Sequence, residues 1–265
     1  MNDDFAPHSD PIAASAPAPA PTPTPRSPRL LIVGVAIALV ASIGSLVIAV
    51  DPFRDSDADL FIPPSDPQAL IAQLSESIVA IECGDGGGTG FALLAGTDDD
   101  IGTTTIVTNY HVIDTCWEVG DPLMVLTGAD RSRTPSSEIL DVDEDRDLAL
   151  ISIDEELPII PSAEYFAEPG WWVMALGNPY DPDLEVILDN FATFGHIGYV
   201  LDEYWNYSSA VINPGNSGGP LVNSRGELIG INTLGGASTE GGIWSVAVDS
   251  DVLCEQLLKC PDEEG

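Results

Sequence analysis

Basic residues are scarce in this sequence. Its 265 residues include only 8 lysines and arginines against 43 aspartates and glutamates, so the formal net charge at pH 7 is −35. Such an acidic surface repels phosphate backbones, which argues strongly against nucleic acid as a partner. We expect the charge mainly to keep the protein soluble.

Metal-binding patterns are missing as well. The sequence contains no C-x-x-C pair, and the acidic runs at 98–100 and 141–147 do not have EF-hand spacing. We therefore expect no metal ion and no other cofactor.

Histidine is rare, and its placement restricts the chemistry. The histidines are His8, His111 and His196, and all of them precede Ser217 in the stretch NPGNSGGP at 213–220. A serine among glycines can expose its hydroxyl beside backbone N–H groups, as a nucleophile next to an oxyanion hole requires. A glycine-rich turn between two strands is the structural alternative.

The order of these residues separates two hydrolase types. The stretch also fits G-x-S-x-G, the nucleophile elbow of α/β-hydrolases, which would indicate an esterase. That arrangement needs a histidine after the serine, and none follows Ser217. The order His, Asp, Ser stays open.

One apolar stretch is long enough to cross a membrane. Residues 30–50 carry no charge and would be about 31 Å long as a helix at roughly 1.5 Å per residue. Arg26 and Arg29 precede it and acidic residues follow, so the positive-inside rule places the N-terminus in the cytoplasm. We predict an uncleaved single-pass signal anchor with 51–265 outside, and a cleaved signal peptide is the alternative.

The composition divides the rest of the chain. Residues 1–29 contain alternating alanine, threonine and proline and are expected to be a disordered cytoplasmic tail. An acidic linker is predicted at 51–65. The folded part is predicted as two halves, 66–162 and 163–262, divided by a segment that holds Pro158 and Pro161.

Short apolar or alternating runs dominate the folded part and predict an all-β protein. We expect a helix from Asp66, an N-cap followed by proline, to about Ser75, and a closing helix at 249–259 capped by Asp249. The predicted fold is two six-stranded antiparallel β-barrels with a C-terminal helix. The strands are expected near 78–82, 89–94, 105–108, 123–126, 138–142 and 148–153, then 172–176, 186–193, 209–212, 221–222, 228–232 and 244–248.

The 4 cysteines all follow the apolar stretch. An even number outside the cytoplasm predicts two disulfides, and three connectivities are possible. Proximity along the chain favours Cys83–Cys116 and Cys254–Cys260, whereas free buried thiols are the alternative.

Two residues upstream of Ser217 suit acid–base chemistry. His111 follows a β-branched run, which predicts a position on the rim of a barrel, where an imidazole can take a proton from a serine. Asp147 opens an apolar strand and can orient an imidazole. Structural roles are the alternative for both, and Asp143, Glu144 and Asp145 compete for the second role.

Three stretches in this order, TNYHVID, DRDLALI and INPGNSGGPL, resemble the trypsin-fold serine proteases of the HtrA (Deg) family. The likeness covers about 66–258. It implies the chymotrypsin/trypsin-like fold and peptide hydrolysis through an acyl-enzyme. By this resemblance His111 is the general base, Asp147 its orienting partner and Ser217 the nucleophile, and the N–H groups of Gly215 and Ser217 form the oxyanion hole.

The resemblance also implies a substrate pocket. The segment just before the serine offers no carboxylate, so we expect small or medium apolar P1 residues rather than lysine or arginine. The pocket residues implied are Ala210, Val211, Ile212, Asn232, Thr233 and Leu234.

The sequence departs from related enzymes in three places. Asn216 stands where digestive enzymes have an aspartate, so no activation by N-terminal cleavage is implied. The chain stops at Gly265, and we expect no PDZ domain. His196 occupies a glycine-containing loop and is a less favoured alternative base.

These observations predict a membrane-anchored, extracytoplasmic serine endopeptidase that acts on polypeptides. A trypsin-fold domain that binds polypeptides without cutting them, as a sensor or chaperone, is the alternative. The complete set of His111, Asp147 and Ser217 argues against that alternative.

Overall fold

A computed structural model of the protein describes residues 57–95, 102–128, 131–181, 186–201, 205–237, 243–253 and 257. The tail at 1–29, the predicted membrane anchor and the pair Cys254–Cys260 lie outside these residues. Within the described ranges, no helix is both long and apolar enough to traverse a bilayer.

The first half of the folded part forms one antiparallel sheet of six strands. Their spatial order is β4-β1-β2-β3-β6-β5. Val79, Ile106 and Ile151 are fully buried in this half, in a cluster with the apolar face of a helix. The strands are β1 (Ile78–Cys83), β2 (Gly86–Ala95), β3 (Thr104–Thr108), β4 (Leu123–Leu126), β5 (Ser137–Asp143) and β6 (Leu148–Ile153).

The second half contains a closed barrel with the strand order β10-β11-β14-β13-β12-β7, and β8 and β9 pair separately as a short ribbon. All pairings within this barrel are antiparallel. The strands are β7 (Trp172–Gly177), β8 (Tyr180–Asp181), β9 (Val186–Ile187), β10 (Phe191–Leu201), β11 (Trp205–Ser208), β12 (Pro220–Asn223), β13 (Leu228–Ala237) and β14 (Ile243–Asp249).

One apolar cluster joins the two halves. Phe91 and Val107 from the first sheet pack with Met174 and Val222 from the second barrel, and all four are fully buried. Burying one such side chain stabilises the fold by about 1.5–3 kcal/mol. The cluster therefore holds the two halves together. The predicted all-β fold with two six-stranded antiparallel units is confirmed.

Two predicted strands of the second half were wrong in detail. The segment 209–212 is a loop, and the strand of this region, β11, ends just before it. The predicted strand 186–193 is divided between β9 and β10 because Asn190, with φ 54°, turns the chain.

The first predicted helix is α1 (Pro67–Ser75). As expected, Asp66 caps it, and its Oδ1 accepts a hydrogen bond from the Ala69 N–H at 3.0 Å. A 3₁₀ helix, Ala58–Phe61, precedes it inside the predicted linker, and its Leu60 is buried.

A second helix, α2 (Tyr110–Glu118), was not predicted, and it carries Val112, Ile113 and Cys116 on its buried face. Near the C-terminus, α3 (Asp251–Leu253) begins later than expected. Asp249 belongs to β14 and accepts from the Asp251 N–H at 3.0 Å.

Candidate active site

His111 and Asp147 face each other at the end of the first sheet. His111 is the second residue of α2, and Asp147 directly precedes β6. The Asp147 Oδ2 lies 2.7 Å from the His111 Nδ1, and its Oδ1 accepts from the His111 backbone N–H at 2.8 Å. The two side chains are 43% and 23% exposed, so the imidazole is open to solvent on one side.

The Asp147 carboxylate also serves as the cap of α2. Asn109 occupies the N-cap position, but its side chain makes no capping bond. The Asp147 carboxylate satisfies a first-turn N–H instead, and a negative charge there is favourable against the helix dipole. Folding of α2 thus sets the orientation of His111.

The backbone at Asp147 is in the left-handed region, with φ 57°. For a residue that is not glycine, this conformation costs about 1–3 kcal/mol. It is held by the bonds to His111 and by the Asn109 Nδ2, which donates to the Asp147 carbonyl at 2.8 Å. Asp143, a competing acid, pairs instead with Arg146 at 3.2 Å.

Ser217 lies in the loop between β11 and β12. Its hydroxyl donates to the Thr233 carbonyl at 3.1 Å, and no hydrogen bond between described residues joins it to His111. Thr233 sits at a bulge of β13, where the register shifts. Its hydroxyl accepts from the Asn109 Nδ2 at 3.1 Å. A continuous hydrogen-bonded group therefore connects Ser217, through Thr233 and Asn109, to Asp147.

Glycines allow the loop around Ser217 to pack closely. Gly218 has φ 83°, and a side chain there would collide with the Thr89 carbonyl and the Thr108 hydroxyl. Its N–H donates to the Asn232 carbonyl at 2.7 Å. Only glycine combines this conformation with so close an approach of two chains.

Two N–H groups of the same loop are available for a ligand. In the part of the chain that the structure describes, the backbone N–H groups of Gly215 and Ser217 have no hydrogen-bond acceptor. Their neighbours do, since the Asn216 N–H donates to the Asn213 carbonyl at 2.9 Å and the Gly219 N–H to the Asn216 carbonyl at 3.0 Å. Two free donors on either side of Asn216 can bind an oxyanion.

The expected pocket residues differ in exposure. Ala210, Ile212, Asn232 and Thr233 are buried, whereas Val211 and Leu234 are 38% and 56% exposed. The Asn232 amide donates to the carbonyls of Leu176 and Pro220 at 3.2 and 3.0 Å, which ties it to the barrel wall.

Sequence reasoning missed Ser245 as a neighbour of these residues. Its buried Oγ accepts from the Ile212 N–H at 3.0 Å, and it pairs with Gly235 across β13 and β14. The only sequence signal was the serine inside IWSVA. Asn109 was missed too, because its amide acts through residues that are distant in sequence.

The remaining candidates lie apart from this group. His196 is an exposed residue of β10 that pairs with Trp172, and its N–H donates to the Ser209 Oγ at 3.0 Å. Among the described residues, no cluster of histidine, cysteine or acidic side chains could hold a metal ion. His8 lies outside the described residues.

A disulfide joins Cys83 of β1 to Cys116 of α2, with a Cα–Cα distance of 5.7 Å. This pairing is the one favoured by proximity in the sequence. It fastens the helix that carries His111 to the first sheet.

On the same helix, the Tyr110 hydroxyl donates to the Glu118 carboxylate at 2.6 Å, and that hydrogen bond raises the pKa of Tyr110 to about 12.

The chain is similar in sequence to known serine proteases. Serine protease HTRA1B of Danio rerio is 38% identical over 170 residues, which is 60% of this chain and 33% of that protein. A probable periplasmic serine endoprotease, DegP-like, of Marinomonas sp. is 36% identical over 132 residues, 48% of this chain and 27% of that protein. The chain thus spans about a third of the length of such relatives.

The fold has solved counterparts. A crystal structure of the serine endoprotease from Yersinia pestis superposes with a TM-score of 0.60 and 27% identity, over 75% of this chain and 67% of that chain. The resemblance to HtrA (Deg) serine proteases is confirmed. The family described as trypsin-like peptidase domain matches residues 88–231, more than half of the sequence, and the chain therefore belongs to that family.

Proposed function

We propose that the protein is a serine endopeptidase in which Ser217 is the nucleophile, His111 the general base and Asp147 its orienting partner. The observation that carries this proposal is the double contact of Asp147 with His111, connected through Asn109 and Thr233 to Ser217. A base held by an acid near a serine is the arrangement that nucleophilic catalysis requires.

The reaction would proceed in two steps, acylation and deacylation of Ser217. The Ser217 Oγ attacks the peptide carbonyl, and His111 transfers the serine proton to the leaving amine as the C–N bond breaks. Water then attacks the ester carbonyl of the acyl-enzyme, its proton passes through His111 to the Ser217 Oγ as the ester bond breaks, and the carboxylic acid product leaves. The oxyanion of each tetrahedral intermediate would accept from the N–H groups of Gly215 and Ser217, which have no other described acceptor.

Ser217 must turn before it reacts. In the structure its hydroxyl donates to the Thr233 carbonyl, and attack requires it to donate to the imidazole instead. We propose that a change of the Ser217 side-chain rotamer brings this about. The same bond is the observation that favours the second candidate, a domain that binds polypeptides without cutting them.

We propose that the substrate pocket accepts a small or medium apolar P1 residue. Ala210 and Ile212 are apolar and buried, and Ser245 contributes a neutral hydroxyl that is bonded to the backbone. None of these residues offers a carboxylate that would pair with lysine or arginine in a substrate.

The setting of the enzyme is part of the proposal. We place the peptidase domain outside the cytoplasm, attached by a single membrane-spanning helix at 30–50. The Cys83–Cys116 disulfide supports an oxidising compartment. The charge asymmetry around the apolar stretch supports the orientation, and the similar protein of Marinomonas sp. is named as periplasmic. Polypeptides are the proposed substrates.

The test compares purified wild type with Ser217→Ala on an unfolded protein substrate. We expect cleavage by the wild type and none by Ser217→Ala, with substrate binding retained in both. His111→Ala should behave like Ser217→Ala. If the wild type binds the substrate but leaves it intact, the binding function replaces the enzymatic one.

A further inference from the structure

We propose that Thr89 is a positioning residue for the oxyanion hole, an inference that rests on the proposed function. Thr89 belongs to β2, far in sequence from Ser217, and it is fully buried. Its hydroxyl donates to the Gly215 carbonyl at 2.6 Å, and its backbone N–H donates to the Ser217 carbonyl at 2.9 Å. One residue of the first sheet thus makes hydrogen bonds to the nucleophile loop on both sides of Asn216.

This double contact fixes the orientation of the proposed oxyanion donors. The Ser217 N–H belongs to the peptide between Asn216 and Ser217, which lies between the two peptides whose carbonyls Thr89 holds. Gly215 has φ 94° and could readily adopt other conformations. Because Thr89 holds the Gly215 carbonyl, backbone rotation at Gly215 is restricted. The N–H of Gly215 therefore keeps its direction.

The hydroxyl proton of Thr89 has one available direction. The backbone N–H of Asn178 donates to the Thr89 Oγ1 at 2.8 Å. A hydroxyl carries a single proton, and because the oxygen already accepts from Asn178, that proton is directed to the Gly215 carbonyl. The short distance agrees with a well-formed O–H···O bond.

Asn178 is itself held by both halves of the protein. Its Nδ2 donates to the Val79 carbonyl of the first sheet at 3.1 Å. Its Oδ1 accepts from the Arg131 Nη2 at 2.9 Å and from the Asn190 N–H at 3.1 Å.

The Arg131 side chain is only 7% exposed, and its Nε lies 3.3 Å from the Asp189 carboxylate. It also donates to the Ile78 carbonyl at 2.5 Å. Asn178, which directs the Thr89 hydroxyl, is therefore positioned by residues of both halves of the protein.

The experiment compares Thr89→Val, which keeps the shape and loses the hydroxyl, with Thr89→Ser, which keeps the hydroxyl. We expect Thr89→Val to lower kcat about 10- to 100-fold with KM within about twofold, since small misplacements of catalytic groups have effects of this size. Thr89→Ser should stay within about threefold of wild type. If Thr89→Val does not fold, Thr89→Ala removes the same hydroxyl without adding a methyl group to a tight site.

A second measurement does not depend on activity. Hydrogen–deuterium exchange of the peptide that covers 213–219 should be faster in Thr89→Val than in wild type and unchanged in Thr89→Ser. Equal kcat and equal exchange in Thr89→Val and wild type would overturn the positioning role, as would a Thr89→Ser variant impaired as strongly as Thr89→Val. A wild type that cuts nothing would instead overturn the proposed function, and the exchange comparison would still decide whether Thr89 orders the loop.

Discussion

The Asp147 carboxylate holds both the main chain and the side chain of His111. One oxygen accepts from the backbone N–H at 2.8 Å, and the other lies 2.7 Å from Nδ1. The start of α2 and the imidazole are therefore fixed by the same group. A shift of the helix start would also displace the base, so structure and proposed catalysis are coupled at this contact.

The first prediction follows from this contact. Asp147→Asn keeps an oxygen for the backbone N–H of α2 but removes the carboxylate that orients the imidazole and stabilises its cation. We expect kcat to fall roughly 10,000-fold, as in the trypsin-type template, while the protein stays folded by circular dichroism. Asp143→Asn is the matched control and should stay within about twofold, because Asp143 pairs with Arg146. Similar losses in both variants would refute the assignment of Asp147.

The second prediction concerns substrate choice. Profiling with a peptide library should find cleavage after small or medium apolar P1 residues, because the segment 209–212, which is expected to form the pocket, contains no carboxylate. Ser217→Ala, purified in the same way, controls for contaminating proteases. A preference for lysine or arginine at P1 would show that the pocket is wrongly assigned.

The third prediction concerns the Cys83–Cys116 disulfide, which joins residues separated by 33 positions. Loss of the cross-link in Cys83→Ser/Cys116→Ser should lower the free energy of unfolding by about 3–4 kcal/mol, the loop-entropy value for this separation. Denaturant unfolding with and without reductant measures the effect. Reductant should destabilise the wild type and leave the double variant unchanged. A double variant as stable as wild type would contradict the prediction.

The fourth prediction is a pH dependence at the start of the described chain. The Arg225 guanidinium donates to both carboxylate oxygens of Asp59 at 2.8 and 2.7 Å, and these hydrogen bonds hold the pKa of Asp59 below its ordinary value. A carboxyl whose pKa is lower in the folded state than in the unfolded state stabilises the fold at pH values above its unfolded-state pKa of about 3.9. This stability is lost as the pH falls through the folded-state pKa.

The measurement compares Asp59→Asn with wild type. The pair is partly exposed, so we expect a loss of only about 0.2–1 kcal/mol at pH 7 and a smaller difference at pH 3. Asp85→Asn, which changes an exposed aspartate of the β1–β2 turn, should match wild type at both values. If the difference in unfolding free energy between Asp59→Asn and wild type were larger at pH 3 than at pH 7, the predicted direction of the pH dependence would be wrong.

The strands of the first half could be predicted closely, since alternation and turn residues mark them locally. The helix α2 was missed because YHVID follows a β-branched strand, and the residue at its N-cap position, Asn109, makes no side-chain capping bond. Its cap is Asp147, a residue 36 positions further along the chain. A window of neighbouring residues cannot contain that information.

The site residues stay a prediction. Three motifs in order indicated His111, Asp147 and Ser217, and the resemblance selected Asp147 where local composition left Asp143, Glu144 and Asp145 open. The contact between Asp147 and His111 supports that choice. The Thr89–Gly215 hydrogen bond spans 126 positions. Such a contact exists only after both halves have folded, so no local pattern indicates it.

The most direct test of the central assignment is mass spectrometry of the folded protein after treatment with a fluorophosphonate. The account predicts a single phosphonyl adduct on the hydroxyl of Ser217, absent in Ser217→Ala and strongly reduced in His111→Ala. No adduct on correctly folded wild type, or an adduct on a different residue, would contradict it.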